Sequence, residues 1–341
     1  MVAFKLDVGD RAPNFVLPDA TGTGHGFYSD VDGCPILLVL FGHGALRQQM
    51  DELSRLHLSL SKTRDIQTFG ICLSDIASLA AMVPNNSGTG PIILADVKGK
   101  ITEAYSSQLA RSSPVALILD PNQRIVAIHD GPALFKQVGE TVKGMAQARP
   151  PRMIESVAPV LMIPNLIEPT FCQRLIQAWN AGEKSSGLVH EILGDKKANV
   201  VITSSKRRTD HYITEPTLRS DLASILGRRL GTEVRKSFFF HKFRFEAFRI
   251  GCYHAADRGF FKVHRDFVDN VHESRRFAVS VNLNAEGYVG GDLRFPEYGS
   301  DLYRPATGGA IVFSGSLMHE VVPVTAGERY VLLTFLLAVN E

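Results

Sequence analysis

The 341-residue chain has no CxxC pair, one tryptophan, no long apolar run and almost no net charge. Its cysteines, Cys34, Cys72, Cys172 and Cys252, are widely separated. That spacing excludes a disulfide-built fold and a cysteine-rich zinc module, and it predicts a reduced, cytoplasmic protein. The longest uninterrupted aliphatic or aromatic stretch, Ile36–Phe41, is far short of the ~20 residues a membrane helix needs, so no membrane partner is expected. The first ten residues carry Lys5 and Asp7 but no apolar core of a secretory signal. Lys and Arg number 37 against 35 Asp and Glu, which leaves no electrostatic footprint for nucleic acid. The length predicts about two domains, since one core rarely grows beyond ~250 residues.

The clearest seam is Gln147-Ala-Arg-Pro-Pro-Arg152, where adjacent prolines stop a helix and favour an extended connector. We place an amino-terminal domain at 1–147, a Pro-rich linker at 148–153 and a carboxy-terminal domain at 154–341. Before the seam, β-branched runs alternate with helical patterns. Ile36–Phe41 reads as a buried strand, 45–60 as a helix with apolar residues at 3.6-type spacing, and 66–72 as a second strand. The runs 115–119 and 124–128 are joined by the turn sequence Asp120-Pro-Asn-Gln123, which makes them a hairpin. Such an order suggests an α/β layer architecture.

Gly9-Asp-Arg-Ala-Pro-Asn-Phe15, Ile36–Phe41, the stretch Leu94 to Tyr105 and Leu117-Ile-Leu-Asp-Pro-Asn-Gln-Arg124 resemble the peroxiredoxin branch of the thioredoxin-like fold, over about residues 3–146. The resemblance implies a reactive thiolate at the start of the helix after the first long strand, where the helix N-terminus lowers its pKa. Here that region, Gly42 to Met50, holds His43 but no cysteine, and Pro114 stands where the family usually has an arginine before Val115. Cys34 and Cys72 read as packed small side chains. The expectation is a redoxin scaffold without its active residue, one that docks, shapes substrate access or joins two chains as a homodimer.

After the seam, Pro169 opens a helix carrying Phe171, Leu175, Ile176 and Trp179 on one stripe, and a second helix spans about 215–230. Short strands follow at about 237–250, 260–264, 276–283, 292–295, 309–313, 319–323 and 329–338. This density of strands between Gly, Pro and Asn turns indicates a sandwich or jelly roll. Within it, Val263-His264-Arg265-Asp266 places His264 and Asp266 on one side of an extended segment. His319 is the candidate third ligand. Two histidines and one carboxylate on one face of an ion are the donor set of non-haem Fe(II) oxygenases. Arg329 lies in an otherwise apolar strand and needs an anion, either a local carboxylate or a ligand. Lys206-Arg-Arg-Thr-Asp-His211 reads as a lid, with Arg208 or His211 on a substrate carboxylate, or equally as a solvated loop. His254 and His272 read as loop histidines, and Phe238 to Phe248 as an alternating core strand.

Residues about 160–338 resemble the prolyl 4-hydroxylase-like branch of the Fe(II)/2-oxoglutarate dioxygenases. The resemblance rests on Phe261-Lys-Val-His-Arg-Asp266, Arg276 to Asn284, Gly290-Gly-Asp-Leu-Arg-Phe-Pro296, Pro305 to Phe313 and, most specifically, Leu317 to Arg329. It implies a double-stranded β-helix, that is an α+β jelly roll, following the α/β thioredoxin-like domain. By the same resemblance His264, Asp266 and His319 bind Fe(II), and Arg329 clamps the distal carboxylate of 2-oxoglutarate. Tyr253 and Asn282 fall near that cosubstrate. O₂ is the oxidant, ascorbate an accessory reductant, and a peptidyl, amino-acid or other small-molecule substrate is hydroxylated with release of succinate and CO₂. Asp266 favours hydroxylation over halogenation, because halogenating relatives carry a small residue there.

Overall fold

The structure is a computed structural model that describes residues 6–42, 47–62, 65–83, 90–105, 114–145, 150–186, 204–266 and 274–339, with the backbone of 189–193 and 196–200. His43 and His272 lie outside the described residues. The chain divides into two compact units, Met1–Pro151 and Arg152–Glu341, so the division falls within the proline-rich seam. No helix among the described residues is long and apolar enough to cross a membrane.

The amino-terminal unit is built on a five-stranded sheet ordered Ile92–Ala95, Gln67–Cys72, Ile36–Phe41, Val115–Leu119, Ile125–Asp130. The first three strands run parallel and the last two antiparallel. Ile36–Phe41 is central and buried along its whole length, which explains its unbroken aliphatic sequence. Leu37, Val39 and Phe41 pack under the helices Arg47–Ser61 and Leu134–Gly144 through Leu53, Val138 and Val142. Ile36, Leu38 and Leu40 face the opposite layer, against Phe15, Phe27 and Tyr105. The Asp120–Gln123 turn closes as expected, with Asp120 accepting from the backbone of Asn122 and Arg124 and Gln123 at φ 58°.

The carboxy-terminal unit stacks two antiparallel sheets. The larger runs Leu161–Ile163, Ala310–Ser314, Arg275–Asn282, Val324–Ala338, Arg249–His254, Thr209–Tyr212, Ser185–Ser186. The smaller runs Lys206–Arg207, Phe260–His264, His319–Val321, Leu293–Arg294, Leu302–Tyr303. Strand alternation separates two cores. Val279, Val281 and Leu332 point to the outer face, where the helices Pro169–Ala181 and Pro216–Phe238 cover them with Trp179, Leu222, Leu226 and Leu230. Ala278, Val331 and Phe335 point inward and meet Leu293, Phe295 and Val321 of the smaller sheet. The site lies between the two sheets.

One expected strand is corrected here. The segment 237–250 is not a single alternating strand. The second helix runs on to Phe238, because Leu222, Leu226, Leu230 and Val234 extend its buried stripe at i, i+4 spacing. Glu215 caps its start by accepting from the N–H groups of Thr217 and Leu218, and Phe239, at φ 53°, ends it. Only then do two short strands form, Phe243–Phe245 and Arg249–His254. Phe238, Phe240, Phe243 and Phe245 flank the outer core partly buried, and Phe239 is exposed.

Candidate functional site

Two neighbouring strands of the smaller sheet bring the histidines together. Phe260–His264 pairs antiparallel with His319–Val321, and His264 sits directly opposite His319. Their rings are 4.2 Å apart. Asp266, two residues beyond His264, turns back so that Oδ1 lies 3.6 Å from His264 Nε2 and Oδ2 lies 3.5 Å from His319 Nε2. The three donor atoms therefore converge on one point, all within 4.8 Å of one another.

Each ring is oriented the same way. Nδ1 of His264 lies 2.7 Å from the Lys262 carbonyl, and Nδ1 of His319 lies 2.9 Å from the Leu317 carbonyl, both two residues upstream. A carbonyl only accepts, so Nδ1 carries the proton and Nε2 presents its lone pair to the shared point. Phe261 stacks on His264 and Phe313 packs edge-on to His319, which fixes both ring planes. His264 Nε2 is buried with no hydrogen-bond partner. Burial pushes the His319 pKa down, with Asp266 opposing. For Asp266, burial pushes the carboxyl up, but His319, His264 and Arg249 outweigh it and hold the group below the ordinary carboxylate range.

Arg329 enters the same pocket from the larger sheet. It is 5% exposed, and neither Nε nor Nη1 has a hydrogen-bond partner. No carboxylate among the described residues pairs with it. Its guanidinium lies over the Tyr253 ring, 5.1 Å from the centroid, as the two residues are cross-strand partners. Gly291 makes room for the arginine stem: at φ 68° it has no Cβ, and one would meet Arg329 Cδ at 3.0 Å. The Tyr253 hydroxyl accepts from Arg208 Nη1 at 3.3 Å. Asn282 stands apart from the pocket wall. Its amide N–H groups are spent on the Tyr288 hydroxyl and the Pro305 carbonyl, each at 2.8 Å.

The segment 206–211 is neither a lid nor a solvated loop. It forms two short strands, Lys206–Arg207 and Thr209–Tyr212, with Lys206, Arg208 and Asp210 buried. Arg208 lines the pocket but is held by Asp210 through a bidentate pair, Nε–Oδ1 2.5 Å and Nη2–Oδ2 2.8 Å. Burial and the neighbouring Arg208 bring the Lys206 pKa down to about 7. His211 instead contacts the Glu183 carbonyl. Sequence reasoning missed Arg249, which also lines the pocket. The signal was present: Arg249, Gly251 and Tyr253 alternate on one strand and so share a face.

The donor set and the orphaned atoms fit a divalent metal and a dicarboxylate cosubstrate. Two neutral imidazoles and one carboxylate suit Fe(II) and leave positions open. The unanswered Arg329 fork suits a carboxylate. In the amino-terminal unit, by contrast, Cys34 and Cys72 are both buried, and burial pushes the Cys72 thiol up to about 12. Neither has the environment of a reactive thiolate.

Comparison with known proteins agrees with this division. Residues 248–337 match the family model of the 2OG-Fe(II) oxygenase superfamily, and residues 8–128 match that of the AhpC/TSA family. The chain is 38% identical over 68 residues to the multifunctional procollagen lysine hydroxylase and glycosyltransferase LH3 of Rattus norvegicus. It is 37% identical over 68 residues to procollagen-lysine,2-oxoglutarate 5-dioxygenase 1 of Mus musculus. Each match spans 19% of this chain and 9% of the relative's length. Among solved structures, a Pseudomonas putida prolyl-4-hydroxylase aligns at 18% identity over 54% of this chain and 94% of its own, with a TM-score of 0.43. The peroxidoxin BcpB of Mycobacterium tuberculosis aligns at 14% identity over 42% of this chain and 99% of its own, with a TM-score of 0.36.

Proposed function

We propose that this chain, an AhpC/TSA domain followed by a 2OG-Fe(II) oxygenase domain, is an Fe(II)- and 2-oxoglutarate-dependent hydroxylase whose oxygenase domain carries all of the chemistry. One observation carries the reading: a three-donor cluster with a free Nε2 and a buried, unanswered guanidinium open into the same pocket. His264, Asp266 and His319 would hold the iron, and Arg329 would hold the distal carboxylate of 2-oxoglutarate. Bound there, the pair would use O₂ to oxidise an unactivated C–H bond by two electrons, one oxygen atom entering the substrate and the other the succinate formed as 2-oxoglutarate loses CO₂.

The remaining residues prepare that pocket. The carbonyls of Lys262 and Leu317 keep the protons on the far side of both rings. Phe261, Leu293, Phe313 and Val321 form a dry wall that strengthens every charge interaction inside it. Tyr253 packs against Arg329 and, braced by Arg208, restricts the arginine's swing. Asn282 acts at one remove by fixing Tyr288. Arg249 contributes a second cation whose closest polar contact is the Tyr212 hydroxyl at 3.5 Å, with no carboxylate partner among the described residues. A substrate bearing an acidic group, such as a free amino acid or a peptide with an acidic neighbour, suits that wall.

The test is substrate-stimulated succinate release by the full chain, screened across peptidyl prolines and lysines, free amino acids and acidic metabolites. At least one acidic compound should raise succinate above the uncoupled level and gain one oxygen by mass. An anaerobic absorption band on adding Fe(II) and 2-oxoglutarate, with no succinate in air under any condition, would reduce the protein to a binding module.

A further inference from the structure

The face of the larger sheet that turns away from the pocket carries a second group of ligand-type side chains. Strand alternation puts Tyr253 and Arg329 on the inner side, so Cys252, His254 and Glu328 project from the outer one. His254 and Glu328 are cross-strand partners, and Cys252 is opposite Tyr330. The Cys252 sulfur lies 3.9 Å from His254 Nδ1, and that nitrogen lies 2.9 Å from Glu328 Oε1. All three donor atoms fall within 4.8 Å of one another.

We propose that Cys252, His254 and Glu328 form a second metal centre, one that takes zinc(II) in place of iron(II). A tetrahedral zinc with ordinary bond lengths sets sulfur and nitrogen about 3.6 Å apart and nitrogen and oxygen about 3.4 Å apart, and both separations seen here lie within about 0.5 Å of those. One thiolate, one imidazole and one carboxylate make a softer set than the pocket's two imidazoles and a carboxylate, and sulfur selects zinc. The Tyr330 hydroxyl donates to Glu328 Oε2 at 2.7 Å and would orient that ligand from outside the first coordination sphere. Entry is open. Cys252 is fully buried at the floor, while the side chains of His254 and Glu328 are 26% and 51% exposed.

A nucleophilic Cys–His–Glu relay fails on geometry. In such a relay one ring nitrogen faces the thiol and the other the carboxylate. Here Nδ1 serves both. Without metal, burial pushes the Cys252 thiol up to about 12. Coordination therefore exchanges the S–H bond for a sulfur–zinc bond and releases one proton, so affinity rises with pH. The centre would tie together the two strands that carry Tyr253 and Arg329, and it does not depend on the hydroxylase reading.

The experiment is titration of the chelator-treated full chain with Co(II), a spectroscopic stand-in for zinc. A sulfur-to-cobalt charge-transfer band should appear, persist in His264→Ala, vanish in Cys252→Ser and be displaced by Zn(II). The pocket cluster has no sulfur and cannot produce it. Trp179, the only tryptophan of the chain, has its ring 6.0 Å from that of His254, so its fluorescence should be quenched in step with the band. Should Cys252→Ser fail to fold, His254→Ala, at a part-exposed position, should weaken cobalt binding at least ten-fold. Absence of the band, its survival in Cys252→Ser, or unchanged affinity in His254→Ala overturns the proposal.

Discussion

Two buried arginines, Arg124 in the amino-terminal unit and Arg329 in the carboxy-terminal one, are held in different ways. In the amino-terminal unit Arg124 is 2% exposed, and its Nε and Nη2 both reach the Gly9 carbonyl, at 3.2 and 2.8 Å. Asp96, equally buried, accepts from the Thr102 N–H at 2.7 Å. These groups hold the chain to itself. In the carboxy-terminal unit Arg329 is buried with Nε and Nη1 unpartnered, and part-buried His264 has an enclosed Nε2 with no hydrogen-bond partner, both lining one pocket. A buried group with an internal partner is structural, whereas one held open at a cost of several kcal/mol is retained for what binds there.

His264→Ala tests the comparison hardest. Loss of a direct ligand should lower iron affinity by more than about 100-fold, the upper range for losing a mere supporting partner, and succinate release should cease. Full turnover in this variant would sink the site. Asp210→Asn comes next, because it turns a partnered arginine of the same pocket into an open one. It should cost about 3–5 kcal/mol in urea or thermal unfolding by stranding Arg208. Its pH signature has a definite sign. Burial pushes the Asp210 carboxyl up and Arg208 more than offsets that, so the folded pKa lies below the unfolded value of about 3.9. The stabilisation is complete above about pH 4, fades as pH falls toward the folded pKa, and should be missing from the variant's acid limb.

Arg329→Met separates the two classes of arginine directly. It should weaken 2-oxoglutarate binding by about 2–5 kcal/mol, at least 30-fold, measured by anaerobic titration. The ligand-free variant should be no less stable than the parent, because an unanswered charge has left the interior. A marked loss of stability would show that Arg329 has an internal partner after all. Arg124→Met, the matching change in the other unit, has the smallest effect: a loss of about 1–3 kcal/mol in stability, with iron and 2-oxoglutarate affinities unchanged.

Much of this was legible in the linear sequence. Ile36–Phe41 and the Asp120–Gln123 turn are local patterns, and local sterics and burial suffice to produce them. His264 and Asp266 were readable as neighbours from their spacing, although the strand stops at His264 and a bend brings Asp266 in. The segment from 237 to 250 misled because its phenylalanines satisfy a two-residue period, while the helix before it was already committed by contacts further upstream. Lys206 to His211 misled in the other direction. A run of charge reads as solvated unless its partner is known, and the bidentate fit of Asp210 to Arg208 depends on backbone geometry that composition does not encode.

The sequence by itself determined that the segment Gly42 to Met50 carries no thiol and that His264, Asp266 and His319 are candidate donors, since each follows from residue type and spacing. Only the tertiary structure decided that His319 stands opposite His264 and that no carboxylate among the described residues pairs with Arg329. It alone placed Cys252, His254 and Glu328 together on the far side of the same strands. His264 and His319, like His254 and Glu328, are more than fifty positions apart, and register between distant strands is set by how the whole sheet packs rather than by any segment within it.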